Sequence, residues 1–146
     1  MSASLKTDLH MHTTASDGQF SPDEIVSMAR DRHLSVIAIT DHDTTDGFTD
    51  ALQASRIQGS DHHNPMIVPG IELSAEDSGG DVHILGYWMR VDDEEFQATL
   101  DRFRQDRADR AQKIVENLEK LGMPITYERV VEIASASGDR RRSAIG

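Results

Sequence analysis

His10 and His12 stand two apart in the run DLHMHTTASDG at positions 8–18, with Asp17 and Gly18 closing it. Leu5 to His12 is apolar and extended enough to form a short first strand, in which residues i and i+2 share a face. The two imidazoles then point the same way, and a carboxylate follows five residues on where a Gly-marked loop begins. That is the start of a cage for a divalent ion. A His-x-His pair alone equally describes two surface histidines, so the downstream residues decide. Asp41 with His42, then Glu72, then His83 each fall at or near the end of a further apolar, strand-like run. A single strand histidine such as His83 is ordinarily a satisfied core residue. Four successive strands that each deliver a His or a carboxylate toward one sheet edge need a reason, because polar groups buried without partners cost several kcal/mol. A metal cluster supplies it. His62 and His63, in a polar loop, and His33, at a helix end, are read as surface histidines.

Composition narrows the chemistry. The 146 residues suit one domain with a polar balance, 37% of them hydrophobic, and a mean hydropathy of -0.51. The longest apolar run, Leu34 to Ile39, is strand-sized and the N-terminus has no apolar h-region, which predicts no membrane span, no signal peptide and a cytoplasmic location. With no cysteine in the chain, disulfides and thiolate sites are excluded, and any metal must be held by His, Asp and Glu. Those ligands favour Mn, Fe or Zn. A net charge of -11 argues against a surface that coats duplex DNA, although a small anion could bind at local positive charge.

The elements that must position these residues alternate. Ser21-Pro22-Asp23-Glu24 has the form of an N-cap, a first-turn proline and a capping-box Glu, which predicts a helix over Pro22 to Arg32. Leu34 to Thr40 is a continuously apolar, β-branched run of the kind buried in a parallel sheet, followed at once by Asp41-His42-Asp43-Thr44. Phe48, Ala51, Leu52 and Ser55 suggest a second helix, Met66 to Ser74 a third parallel strand carrying Glu72, and Asp81 to Met89 a fourth strand. Phe96, Leu100, Phe103, Ala111, Ile114, Leu118 and Leu121 step at helical spacing and predict a long helix over Asp92 to Leu121. Thr126 caps a short one to about Ala134. Strands separated by helices make the class α/β, with a parallel sheet and helices outside.

DLHMHTTASDG, Thr40-Asp41-His42-Asp43-Thr44, Pro69-Gly70-Ile71-Glu72 and His83-Ile84-Leu85-Gly86-Tyr87 together resemble the PHP (polymerase and histidinol phosphatase) domain. The resemblance covers about Leu5 to Ala134, and with its long Arg-rich helix the chain looks most like the branch that hydrolyses nucleoside 3',5'-bisphosphates and short 5'-phosphorylated RNA. It implies the N-terminal part of a distorted seven-stranded β/α barrel. It also implies up to three metal ions in a complete chain, with His10, His12, Asp17, His42, Glu72 and His83 as ligands and Glu72 bridging two ions. Asp41 would join the catalytic set as an orienting group. The implied reaction is hydrolysis of a phosphate ester by a hydroxide that bridges metal ions. A non-catalytic PHP-like module that keeps the metal site or fold for structure is the alternative.

Arg107 and Arg110 sit on the long helix within or beside its apolar stripe. Snorkelling, or ion pairs with Asp106 or Asp109, would account for them. Beside a metal site built for phosphate, they are instead expected to grip the phosphate that is not cleaved, because a guanidinium fork binds phosphate bidentately. The tail 135–146 departs from the family's Gly-Arg-Pro-His segment, and only about four of seven strands are counted. A truncation, or a frameshift near Asp139, is therefore expected, with weak metal binding and little phosphatase activity in this chain alone.

Overall fold

The computed structural model describes residues 5–57 and 64–136. His62, His63 and the tail beyond Ala136 lie outside the described residues. The first β-strand, β1 (Thr7–Met11), leads through the Asp17 loop to α1 (Pro22–Asp31), then to β2 (Val36–Ile39) and α2 (Asp46–Ile57). The start of α1 is set by side chains. Glu24 folds back so that its carboxylate accepts hydrogen bonds from the Ser21 N–H at 2.8 Å and the Ser21 hydroxyl at 2.9 Å. Its end turns through His33 in the left-handed region.

The chain continues through β3 (Met66–Asp77), β4 (Gly80–Tyr87), α3 (Glu94–Lys120) and α4 (Tyr127–Ala136). The four-stranded sheet has the order β1-β2-β3-β4, with β1–β2 and β2–β3 parallel. The fourth strand corrects the expectation of an all-parallel sheet: β3 and β4 are antiparallel, with Asp77 opposite Gly80 across a two-residue turn. Ser78-Gly79 is too short for the helical crossover that parallel strands require. Its hairpin instead places Gly80 at φ 127°.

The main core lies between the two first helices and β2. Ile25, Val26 and Ala29 from α1 and Phe48 and Ala51 from α2 pack with Ile37 and Ile39 of β2. The sheet is curled: the Tyr87 hydroxyl of one edge strand donates to the Leu9 carbonyl of the other at 2.8 Å. The result is a half-barrel whose upper rim carries the polar residues.

The long helix forms where its periodicity predicts, capped by the Asp93 carboxylate, which accepts from the Phe96 N–H at 3.0 Å. Its stripe is not a core face, because Leu100 is the only buried residue on α3 while Phe103 and Ile114 are exposed. Polar contacts complete its docking. Gln97 Nε2 donates to Thr45 Oγ1 at 2.9 Å, and Arg104 Nη1 donates to the Asp43 carbonyl at 2.8 Å. No helix among the described residues is long and apolar enough to cross a membrane.

Candidate metal centre

Glu72 is the hub of the rim. It lies on β3 just beyond the parallel pairing with β2, where it still bridges to His42, and its side chain is only 4% exposed. Its Oε2 is 2.7 Å from His10 Nε2 and 2.9 Å from His12 Nε2, and its Oε1 is 2.6 Å from His83 Nδ1. His42 Nε2 stands 3.9 Å from Glu72 Oε2 and 3.8 Å from Asp17 Oδ2. The structure thus brings together all six of the residues singled out as ligands. His10 and His12 do share a face, their rings 5.1 Å apart. The centre is open on one side, where His10, His83 and Asp17 are about half exposed.

The ionisation of this group follows from its crowding. Burial pushes the His42 imidazole below its ordinary value of 6.5, and neighbouring His12 and His83 push the same way against the pull of Glu72 and Asp17. Burial alone would raise the Glu72 carboxyl. The hydrogen bond from His10 and the charges of His42, His10 and His12 outweigh it and hold Glu72 below 4.5.

A divalent ion fits this donor set. His10, His12 and Glu72; His12, Asp17 and His42; and His42, Glu72 and His83 form three overlapping triads whose ligand atoms lie within 4.8 Å of one another. His12 Nδ1 and His42 Nδ1 are buried without a hydrogen bond. His12 Nδ1 does approach Asp17 Oδ1, at 3.2 Å, without forming a hydrogen bond to it. Buried polar atoms left without partners cost about 1–3 kcal/mol each, and nitrogen and oxygen donors alone suit Mn, Fe or Zn.

A family profile described as PHP domain matches residues 8–106, which include every one of these six side chains. The chain belongs to the PHP domain family. It is 34% identical over 95% of its length to a 5'-3' exoribonuclease of Haemophilus influenzae, covering 49% of that protein. It is 33% identical over 80% of its length to a 3',5'-nucleoside bisphosphate phosphatase of Chromobacterium violaceum, covering 39% of it. A solved structure from Bifidobacterium adolescentis, described as a metal-dependent phosphoesterase, superimposes with a TM-score of 0.73 at 32% identity, covering 99% of this chain and 47% of the other. The chain spans about half the length of the curated relatives it matches.

Around the PHP centre, the structure gives Asp41 partners other than the imidazoles. Its buried carboxylate accepts from the Thr13 N–H and the Thr13 hydroxyl, each at 2.7 Å, and from the Ser16 hydroxyl at 2.5 Å. Asp41 therefore fixes the turn that leads into Asp17.

Arg107 and Arg110 border the same rim. Both line a cavity of about 310 Å³ shared with His83, Phe103 and Asp106, and a second of about 400 Å³ shared with Asp17, His42 and His83. Neither arginine takes the Asp106 or Asp109 partner weighed from the sequence. Arg107 Nη2 bonds to Asp43 Oδ2 at 2.6 Å and to Ser74 Oγ at 2.5 Å, while Arg110 pairs with Glu76. Asp43 and Ser74, like Thr13 and Ser16 beside Asp41, are site residues to which the sequence pattern assigns no role. Alternation along β3 was the available signal for Ser74, which lies two residues after Glu72 on the same face.

Proposed function

We propose that this chain carries the metal-binding part, residues 5–134, of a phosphoesterase that acts on small phosphorylated nucleotides such as a nucleoside 3',5'-bisphosphate or short 5'-phosphorylated RNA. The observation that carries the reading is the convergence of four imidazoles on the one buried carboxylate of Glu72. His10, His12, Asp17, His42, Glu72 and His83 would hold the ions, Mn2+ in preference to Zn2+ or Fe2+, and Glu72, whose Oε1 faces His83 while its Oε2 faces His10 and His12, would be the residue shared between ions. Bound there, the metal supplies an activated water and neutralises phosphoryl oxygens.

The remaining tasks belong to the chain's own side chains. Asp41 keeps the Thr13–Ser16 turn in place, and so holds Asp17 against His12 and His42. Arg107 and Arg110, beside His83 in one cavity, bind the phosphate that is not cleaved, because the guanidinium fork matches its oxygens. Each arginine already faces a carboxylate, so it gives the substrate its free N–H groups or exchanges partners. The acidic chain, at a net charge of -11, selects small nucleotides over duplex DNA, and would act on them in the cytoplasm.

The test is calorimetric titration of the purified chain with Mn2+, run with an assay of phosphate release from adenosine 3',5'-bisphosphate. Binding is expected, and it should weaken by at least about tenfold in Glu72→Gln and His10→Ala, since losing even a group that only supports a ligand costs that much. Mn2+ affinity that stays at the wild-type value in both variants, or phosphate release that persists undiminished in excess chelator, overturns the reading.

A further inference from the structure

Asp43 follows His42 directly and stands at φ 52°, a left-handed conformation that Asp adopts more readily than most residues. That turn is locked from both sides. The Asp43 N–H donates to the Glu72 carbonyl at 3.1 Å, and the Asp43 carbonyl accepts from Arg104 Nη1 at 2.8 Å. Its buried carboxylate is divided between two elements. Oδ1 accepts from the Ser74 N–H at 3.0 Å, and Oδ2 accepts from Arg107 Nη2 at 2.6 Å. Ser74 stands opposite His83 in the β3–β4 register. One carboxylate therefore joins the backbone beside two candidate ligands, His42 and Glu72, to an arginine on α3.

Arg107 makes both of its contacts, to Asp43 and to Ser74, through Nη2. Nη1 and Nε are the part of the fork left for a ligand, next to the cavity that His83 and Arg110 also line. We propose that Asp43 is a positioning residue that holds Arg107 at the distance from the metal centre that suits a second phosphate, and so selects bisphosphorylated over monophosphorylated nucleotides. This rests on the proposed phosphate grip of Arg107.

The experiment measures equilibrium binding of adenosine 3',5'-bisphosphate and of adenosine 5'-monophosphate to the Mn2+-loaded full chain. The proteins compared are wild type, Arg107→Ala, Asp43→Asn and the double variant, each with its thermal unfolding midpoint. Arg107→Ala should lower the bisphosphate-to-monophosphate affinity ratio by about tenfold or more, the scale of one charge-assisted hydrogen bond. Asp43→Asn should lower the ratio comparably, and the double variant should lower it no further, since coupled residues are non-additive. If Asp43→Asn does not fold, Asp43→Glu shifts the same charge by a methylene and should lower the ratio too. A ratio that falls in Arg107→Ala but stays at the wild-type value in the Asp43 variants, or a uniform weakening of both nucleotides, makes Asp43 a purely structural residue and overturns the inference. A ratio unchanged in Arg107→Ala removes the phosphate grip itself, and this inference with it.

Discussion

The Asp41 carboxylate grips Thr13 twice, taking its backbone N–H and its hydroxyl at 2.7 Å each. Ser16 occupies the same carboxylate, so the C-terminal end of β2 fastens the loop that follows β1. Exchanging Asp41 for Asn removes the charge and turns an amide N–H toward a partner that now donates, so the Thr13 hydroxyl, which already accepts from the Ala15 N–H, would have to accept a second time. Asp41→Asn should cost about 2 kcal/mol of stability, in the range for hydrogen bonds to a charged group. A methyl group at Gly47, in the first turn of α2, would overlap Asp41 Oδ2 and Thr13 Oγ1. Gly→Ala inside a helix normally stabilises by up to about 1 kcal/mol; here the sign should reverse. Urea unfolding of Asp41→Asn and Gly47→Ala checks both, and a Gly47→Ala midpoint at or above wild type would contradict this account of the node.

What the sequence made legible was local. Capping at Ser21, the apolar run through Ile37 and Ile39, and the alternation that sets His10 and His12 on one face all act within a few residues, and each appears in the fold. The direction of β4 depends on whether Ser78-Gly79 closes a hairpin, which the apolar pattern of the two flanking strands does not decide. The partners of Arg107 were less accessible. Asp43 and Ser74 lie 64 and 33 residues away in sequence, and no periodicity relates them. The same holds for Asp41, whose bond to Thr13 crosses 28 residues.

Acid should act on the metal-free protein in two stages. His42 is held below its ordinary 6.5 in the fold. The unfolded chain therefore binds this proton first, and the stability its neutral form contributes is full above pH 6.5 and lost as pH falls through the lowered value. Glu72 is held below 4.5, so its contribution is present above 4.5 and is lost in a second, more acidic stage. Metal ions compete with these protons for the same atoms, and binding only to the folded state stabilises it by mass action. Saturating Mn2+ at one fixed concentration should raise the unfolding midpoint more at pH 7.5 than at pH 5.5. Thermal scans at the two values, with Mn2+ and with chelator, make the comparison; an equal rise at both would contradict protonation of this centre.

Leu100 is the only fully buried side chain on α3, so one apolar anchor and a row of polar contacts hold a 27-residue helix to the sheet. Leu100→Ala should cost about 2–4 kcal/mol, the range for a buried leucine that leaves a cavity. The loss should be uneven, because the core of α1, β2 and α2 does not include α3. Amide exchange should quicken over residues 94–120 far more than over Val36–Ile39, as a locally weakened unit opens before the rest. None of the six candidate ligands lies on α3, whereas Arg107 and Arg110 do. Mn2+ affinity should therefore stay within about twofold of wild type, consistent with near-additivity between separated sites, while affinity for adenosine 3',5'-bisphosphate falls. Exchange mass spectrometry with parallel Mn2+ and nucleotide titrations reads all three quantities. Loss of Mn2+ binding in step with nucleotide binding would show that α3 supports the metal centre itself and not only the phosphate grip.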